Sequence, residues 1–91
     1  MDSIMQKDRE CYFCLRQRGL ERHHVLAGAA NRKLSEKYGL WVWLCHDCHT
    51  GDDGAQYDSA RNRFLKEKAQ EAFEAIHGHE KWMEVFRKNY L

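Results

Sequence analysis

Proline is absent from these 91 residues, and no internal repeat or low-complexity tract breaks them up. That excludes domains strung on Pro-rich linkers and excludes repeat arrays. Long apolar runs are also lacking. The longest, residues 40–45, is far too short to span a bilayer. Residues 1–10 are polar and charged, with no apolar segment of the kind that opens a secretory signal. The expectation is a protein of the reducing cytoplasm, without membrane partners. A strong charge of either sign is missing too. The net charge is +1 with neutral histidines. Residues 1–45 hold eight Lys/Arg against five Asp/Glu (+3), and residues 46–91 hold seven against nine (−2). This is not a polybasic chain, so nucleic-acid binding is permitted by the first half but not required by it.

What is present is cysteine and histidine. A chain of this length makes one small domain whose core is marginal without a staple. The four cysteines form two C-x-x-C pairs, Cys11/Cys14 and Cys45/Cys48, separated by a long insert. Each pair offers two thiolates from a tight turn, so together they match a closed tetrahedral zinc site. Redox use of a C-x-x-C pair needs a thioredoxin-like βαβ context, which the sequence lacks. The expected cofactor here is structural Zn2+, tying the N-terminal segment to the end of a strand.

Residues 1–10 read as a flexible lead-in and 11–91 as a single domain, with the metal-competent residues in 11–57 and a helical tail in 58–91. Residues 20–26 read as a strand. Residues 28–31 read as a small-residue loop, and 32–38 as a short helical turn before Gly39. Residues 40–44, Leu-Trp-Val-Trp-Leu, read as a second strand. Residues 45–49 lead into a helix kept short by Gly51 and Gly54. In the tail, Leu65, Ala69, Ala72, Phe73 and Ile76 follow the spacing of one helical stripe, read as core. Asp58 or Ser59 would cap its start and Gly78 its end. Trp82, Val85, Phe86 and Tyr90 continue as a second amphipathic helix.

A second constellation comprises His23, His24, His49 and Asp53. Adjacent strand residues point to opposite faces, so His23 and His24 cannot readily share one ion. His49 and Asp53 lie four apart, on one face if that segment is helical. One strand histidine with a helical His-x-x-x-Asp pair makes an open site for Mg, Mn or Zn. The other histidines read blandly: His46 faces solvent, and His77 and His79 bracket Gly78 with no third ligand. Trp41 and Trp43 share a strand face and read as core.

The run from His-His-Val (23–25) through Ala-Asn-Arg-Lys-Leu-Ser-Glu-Lys-Tyr-Gly-Leu (30–40) to Leu-Cys-His-Asp-Cys-His (44–49), behind a first C-x-x-C, resembles the HNH (ββα-metal, His-Me finger) endonucleases. The likeness is to the small phage or bacterial type and covers residues 11–91. It implies an α+β fold with a ββα-metal hairpin–helix core, a zinc-ribbon-like four-cysteine site and C-terminal amphipathic helices. It also implies His23 and His49 as ligands of a catalytic divalent ion, Mg2+ or Mn2+. His24 becomes the general base. Asp53 stands where the family often has a further histidine. The family's orienting Asn usually lies just before the second strand, where this chain has Tyr38, Gly39 and Leu40. Asn31 comes earlier and is the candidate for that role. Arg22, Arg32, Lys33 and Lys37 flank the site as candidate DNA phosphate contacts.

The activity implied is metal-dependent hydrolysis of DNA, cutting or nicking, to a 5′-phosphate and a 3′-hydroxyl. Phage packaging or replication proteins would be partners in a bacterial host. The competing expectation is a non-catalytic zinc-ribbon module that binds nucleic acid or protein. Such a module keeps the cysteines but has no use for His24. A zinc deaminase needs a Glu two residues after a ligand histidine, and neither His23 nor His49 has one.

Overall fold

A computed structural model of the chain describes residues 1–50 and 58–91. The elements are β1 (Leu20–His24), α1 (Ala29–Tyr38), β2 (Trp41–Cys45), α2 (His46–Thr50), α3 (Ser59–His77) and α4 (His79–Phe86). The result is a small α+β unit with one two-stranded antiparallel sheet. The register pairs Leu20 with Cys45, Arg22 with Trp43 and His24 with Trp41. Gly51, Asp53 and Gly54 lie outside the described residues.

The connection between the strands is not the loop and single turn expected. It is a helix of ten residues starting at Ala29. Ala29 and Ala30, read as loop because they are small, are strong helix formers. Gly39 ends the helix in the left-handed conformation (φ 71°), and its N–H, like that of Leu40, donates to the Ser35 carbonyl. β1 stops at His24, two residues short of the expected end. Val25 and Leu26 turn inward, and both are buried.

β2 is buried on both faces because two different segments cover it. On one side the lead-in, expected to be loose, runs against the strand. Ile4 N–H donates to the Gly39 carbonyl (2.9 Å), the Ser3 hydroxyl to the Trp41 carbonyl, and Trp43 N–H to Gln6 Oε1 (2.9 Å). The Trp41 indole donates to the Met1 carbonyl (3.1 Å). On the other side α3 and α4 supply Leu65, Ala69, Phe73 and Trp82, all fully buried. Tyr38 meets Phe73 edge-on at 5.1 Å and so joins α1 to the tail.

The tail matches the expected punctuation. Asp58 caps α3, its Oδ1 accepting from Ala60 N–H (2.9 Å) and Arg61 N–H (3.1 Å). Gly78, at φ 86°, ends α3. The apolar stripe is narrower than read: Ala72 is half-buried, and Ile76 is 61% exposed. Gln70 is buried instead. It donates to Glu74 Oε2 (2.6 Å) and Asn89 Oδ1 (2.7 Å) and accepts from Tyr90 N–H (2.7 Å). That clamp folds residues 87–91 back onto α3, so Tyr90 lies past the end of α4 rather than within it. Among the described residues no helix is long and apolar enough to cross a membrane.

Candidate functional site

The first knuckle is closed by backbone bonds: Cys11 N–H donates to the Arg16 carbonyl (2.8 Å) and Leu15 N–H to the Cys11 carbonyl (2.9 Å). Tyr12 N–H donates to the Trp43 carbonyl (2.8 Å), which sets this turn beside β2. Cys45 is the last residue of β2 and Cys48 lies in α2. All four Sγ atoms fall within 4.8 Å of one another, and Cys14 and Cys45 are 3.6 Å apart. A zinc tetrahedron with bonds of about 2.3 Å needs sulfurs about 3.8 Å apart. The group can therefore hold a metal ion such as zinc. None of the four is in a disulfide. Burial pushes the Cys11 thiol up, but N–H groups of Cys45, Cys14 and Phe13 outweigh it and bring the thiol down to about 6. Burial and the neighbouring sulfurs push Cys48 far up. Four thiols this close cannot all ionise without a cation among them.

The alternation of β1 sorts the histidine site. Glu21 and His23 face α2, whereas Arg22 and His24 face α1 and the tryptophans. His23 is buried, 5.0 Å from the His49 ring in an edge-on contact. Its Nε2 has no hydrogen-bond partner among the described residues. Burial, then the charges of His49, His24 and Lys66, hold its pKa down at about 4, so the ring is neutral near pH 7. His49 Nδ1 donates to Glu21 Oε1 (2.9 Å), an arrangement that leaves Nε2 as the other ring nitrogen. The hydrogen bond from His49 holds the Glu21 carboxyl below its usual range.

His24 is half-buried on the opposite face, with Nε2 2.7 Å from Glu36 Oε2. Arg22 grips Glu36 Oε1 and stacks 3.8 Å from the Trp41 ring centroid. The hydrogen bond from His24, with the Arg22 charge behind it, keeps Glu36 ionised below the normal carboxylate range. Trp41 is buried and Trp43 half-buried, so their face is packed by Arg22, Arg9 and the lead-in.

His23, His24 and His49 all line one cleft of about 550 Å³, together with Arg22, Arg32 and Asn62. Asn31 sits in the first turn of α1 and is not among the residues lining it. Lys33 and Lys37 are exposed on α1 outside the cleft. Asp53, the remaining expected ligand, lies outside the described residues. His46 is exposed, as expected, with Nδ1 3.4 Å from Glu21. His79 pairs with Glu74 (2.8 Å) and His77 packs on Phe73, away from any ligand set.

Three residues of the site escaped the sequence reading. Glu21 had a signal, being two positions from His23 and so on its face. Glu36 and Asn62 had none, because tertiary structure alone brings them to the histidines. No family model, curated protein or solved structure matches the chain.

Proposed function

We propose that this protein is a metal-dependent DNA endonuclease or nickase of the HNH type, with a ββα-metal core and a structural zinc on Cys11, Cys14, Cys45 and Cys48. In this reading β1, β2 and α2 are the hairpin and helix of that core, and α1 fills the connection. One observation carries the reading. His23, His24 and His49 converge on a single cleft, and the buried Nε2 of His23 has no partner among the described residues. A buried polar nitrogen without a hydrogen bond is costly, and a ligand at that atom removes the cost.

His23 and His49 would hold the divalent ion, with Asp53 as a further ligand. Glu21 sets the tautomer of His49, the usual role of a carboxylate behind a metal-binding imidazole. When bound, the ion supplies charge stabilisation at the scissile phosphate and the leaving oxygen. His24 is the base. Its Nε2–H donates to Glu36, an assignment made from the hydrogen-bond pattern, and that leaves Nδ1 to take the proton of an attacking water. The Glu36 carboxylate then stabilises the imidazolium so formed. Arg22 holds Glu36 in place through its second oxygen. Glu36, rather than Asn31, thus does the orienting. Arg32 at the cleft rim contacts the DNA backbone.

The test is incubation of the purified protein with supercoiled plasmid plus Mg2+ or Mn2+, with and without EDTA. Nicked or linear product that EDTA abolishes is expected. Binding without cleavage under every divalent ion would transfer the assignment to a non-catalytic zinc-ribbon module.

A further inference from the structure

The N-terminal half of α3 borders a second cleft, of about 410 Å³, next to the histidine cleft. Asn62 lines both, so the two are neighbours. Three cations converge on this second cleft. Lys66 and Lys88 approach one ring, that of Tyr90, at 5.6 Å and 5.3 Å from its centroid. Arg63 reaches the Tyr90 carbonyl (3.4 Å) while its Nε holds Glu67 (3.0 Å). The residue that gathers them is far off in sequence, brought here by the Gln70 clamp on Tyr90 and Asn89.

Among the described lining residues the one carboxylate is Asp58, whose Oδ1 is engaged as the cap of α3. No ion pair among the described residues involves Lys66 or Lys88. Burial, then the charge of Lys88, pushes the Lys66 ammonium below its ordinary range. A cleft with an excess of one charge sign concentrates the opposite ion. Asn62 and Lys66 are one turn apart on α3, about 6 Å along its axis.

We propose that Lys66, Lys88 and Arg63 form a phosphate-binding subsite that holds the nucleic-acid backbone beside the phosphate at the histidine cleft. The proposal rests on the nuclease reading of that cleft. The contacts are ammonium and guanidinium to phosphate, so the subsite fixes the position of the strand and is indifferent to base sequence.

The experiment is fluorescence anisotropy of a labelled DNA duplex across a salt titration, with Ca2+ in place of the catalytic ion. Parent, Lys88→Gln, the double variant Lys66→Gln/Lys88→Gln, and Lys81→Gln on α4 as control are compared, with plasmid cleavage of the parent run alongside. Zinc content and circular dichroism report folding; should the double variant misfold, Lys88→Gln carries the test. Each backbone contact removed should lower the salt slope by about 1, so the double variant loses about 2 and binds roughly tenfold or more weakly on any sequence. Lys81→Gln should match the parent. If the parent cuts plasmid but the folded variants keep its slope and affinity, the subsite is overturned and the nuclease reading stands. If the parent binds but never cuts, while the variants lose slope, the nuclease reading falls and the subsite stands as a nucleic-acid contact. A parent that binds no duplex overturns both. Inorganic phosphate at matched ionic strength is the remaining arm: duplex displacement from the parent but not from the double variant would assign a free anion and overturn a polymer-backbone site.

Discussion

His23 and His24 are neighbours in the chain and opposites in environment. The half-buried ring of His24 is hydrogen bonded to Glu36, while the buried ring of His23 faces His49. Substituting them should therefore give different defects. His24→Ala should keep fold, zinc and DNA binding and lose about 100- to 10,000-fold in turnover. On the nuclease reading proposed above, His23→Ala and His49→Ala should instead weaken binding of the catalytic ion, so that raised Mn2+ partly restores cleavage. Plasmid cleavage across a metal titration distinguishes the two. On the nuclease reading, Glu36→Gln should lower turnover without changing metal affinity, because the ring of His24 loses the carboxylate that holds it in place. Unchanged turnover would deny Glu36 that positioning role.

His23 also makes stability depend on pH. Its pKa is about 4 in the folded chain against an ordinary 6.5. Between those values the unfolded chain binds a proton that the folded chain refuses, so stability falls as pH drops from about 6.5 to about 4 and no further below. Without added divalent ion, going from about pH 7.5 to about pH 5 should cost the parent about 2 kcal/mol more than His23→Gln. Denaturant melts of both proteins at the two pH values measure this, and equal losses would contradict it.

At the scale of elements, α3 illustrates how a stripe is trimmed by what faces it. Phe73 touches Tyr38, Trp82 and Phe86, and is fully buried. Phe73→Ala should cost about 3 kcal/mol or more. Ile76, on the same nominal stripe, is exposed, and Ile76→Ala should change stability by about 0.5 kcal/mol or less. Gly39 offers a second contrast. It and Gly19 both have positive φ, 71° and 62°, so an alanine at either meets about 1–2 kcal/mol of backbone strain. At Gly39 the new Cβ would also collide with the Asp2 carbonyl and Ile4, whereas at Gly19 it meets open space. Thermal melts should rank Gly39→Ala clearly below Gly19→Ala. Equal midpoints would show that the lead-in is not held against β2 in solution.

For the whole molecule, the four cysteines bring together the N-terminal knuckle, the end of β2 and α2. Cys11 and Cys14 belong to the knuckle, Cys45 ends β2, and Cys48 sits in α2, whose other neighbour is β1. A metal there closes the hairpin, α2 and the N-terminal segment into one cooperative unit, so its binding energy becomes folding energy. One zinc per chain is expected by elemental analysis. Cys11→Ser or Cys48→Ser should lose it along with much of the fold, as should treatment with a strong chelator. Zinc should also leave as pH falls, because thiolate ligands must give up their protons to bind. Fully folded, metal-free protein would refute this.

Spacing and periodicity carried the four-cysteine group, the hairpin strands, the Asp58 cap, the Gly78 stop and the opposition of His23 to His24. These are local, set by the turn geometry of C-x-x-C and by periods of 2 and 3.6 residues, so they survive in a one-dimensional string. Tertiary structure decided the rest. It turned Ala29–Tyr38 into a helix whose Glu36 reaches back to His24, docked residues 1–6 on β2, and brought Lys88 and Tyr90 to Lys66. It also replaced the expected Ile76 with Gln70 in the core. Each of these outcomes depends on partners 12 or more residues away in the chain, or on which side of a helix meets the hairpin. No local pattern encodes such a choice, because the free energy that makes it comes from burial and pairing after the chain has folded.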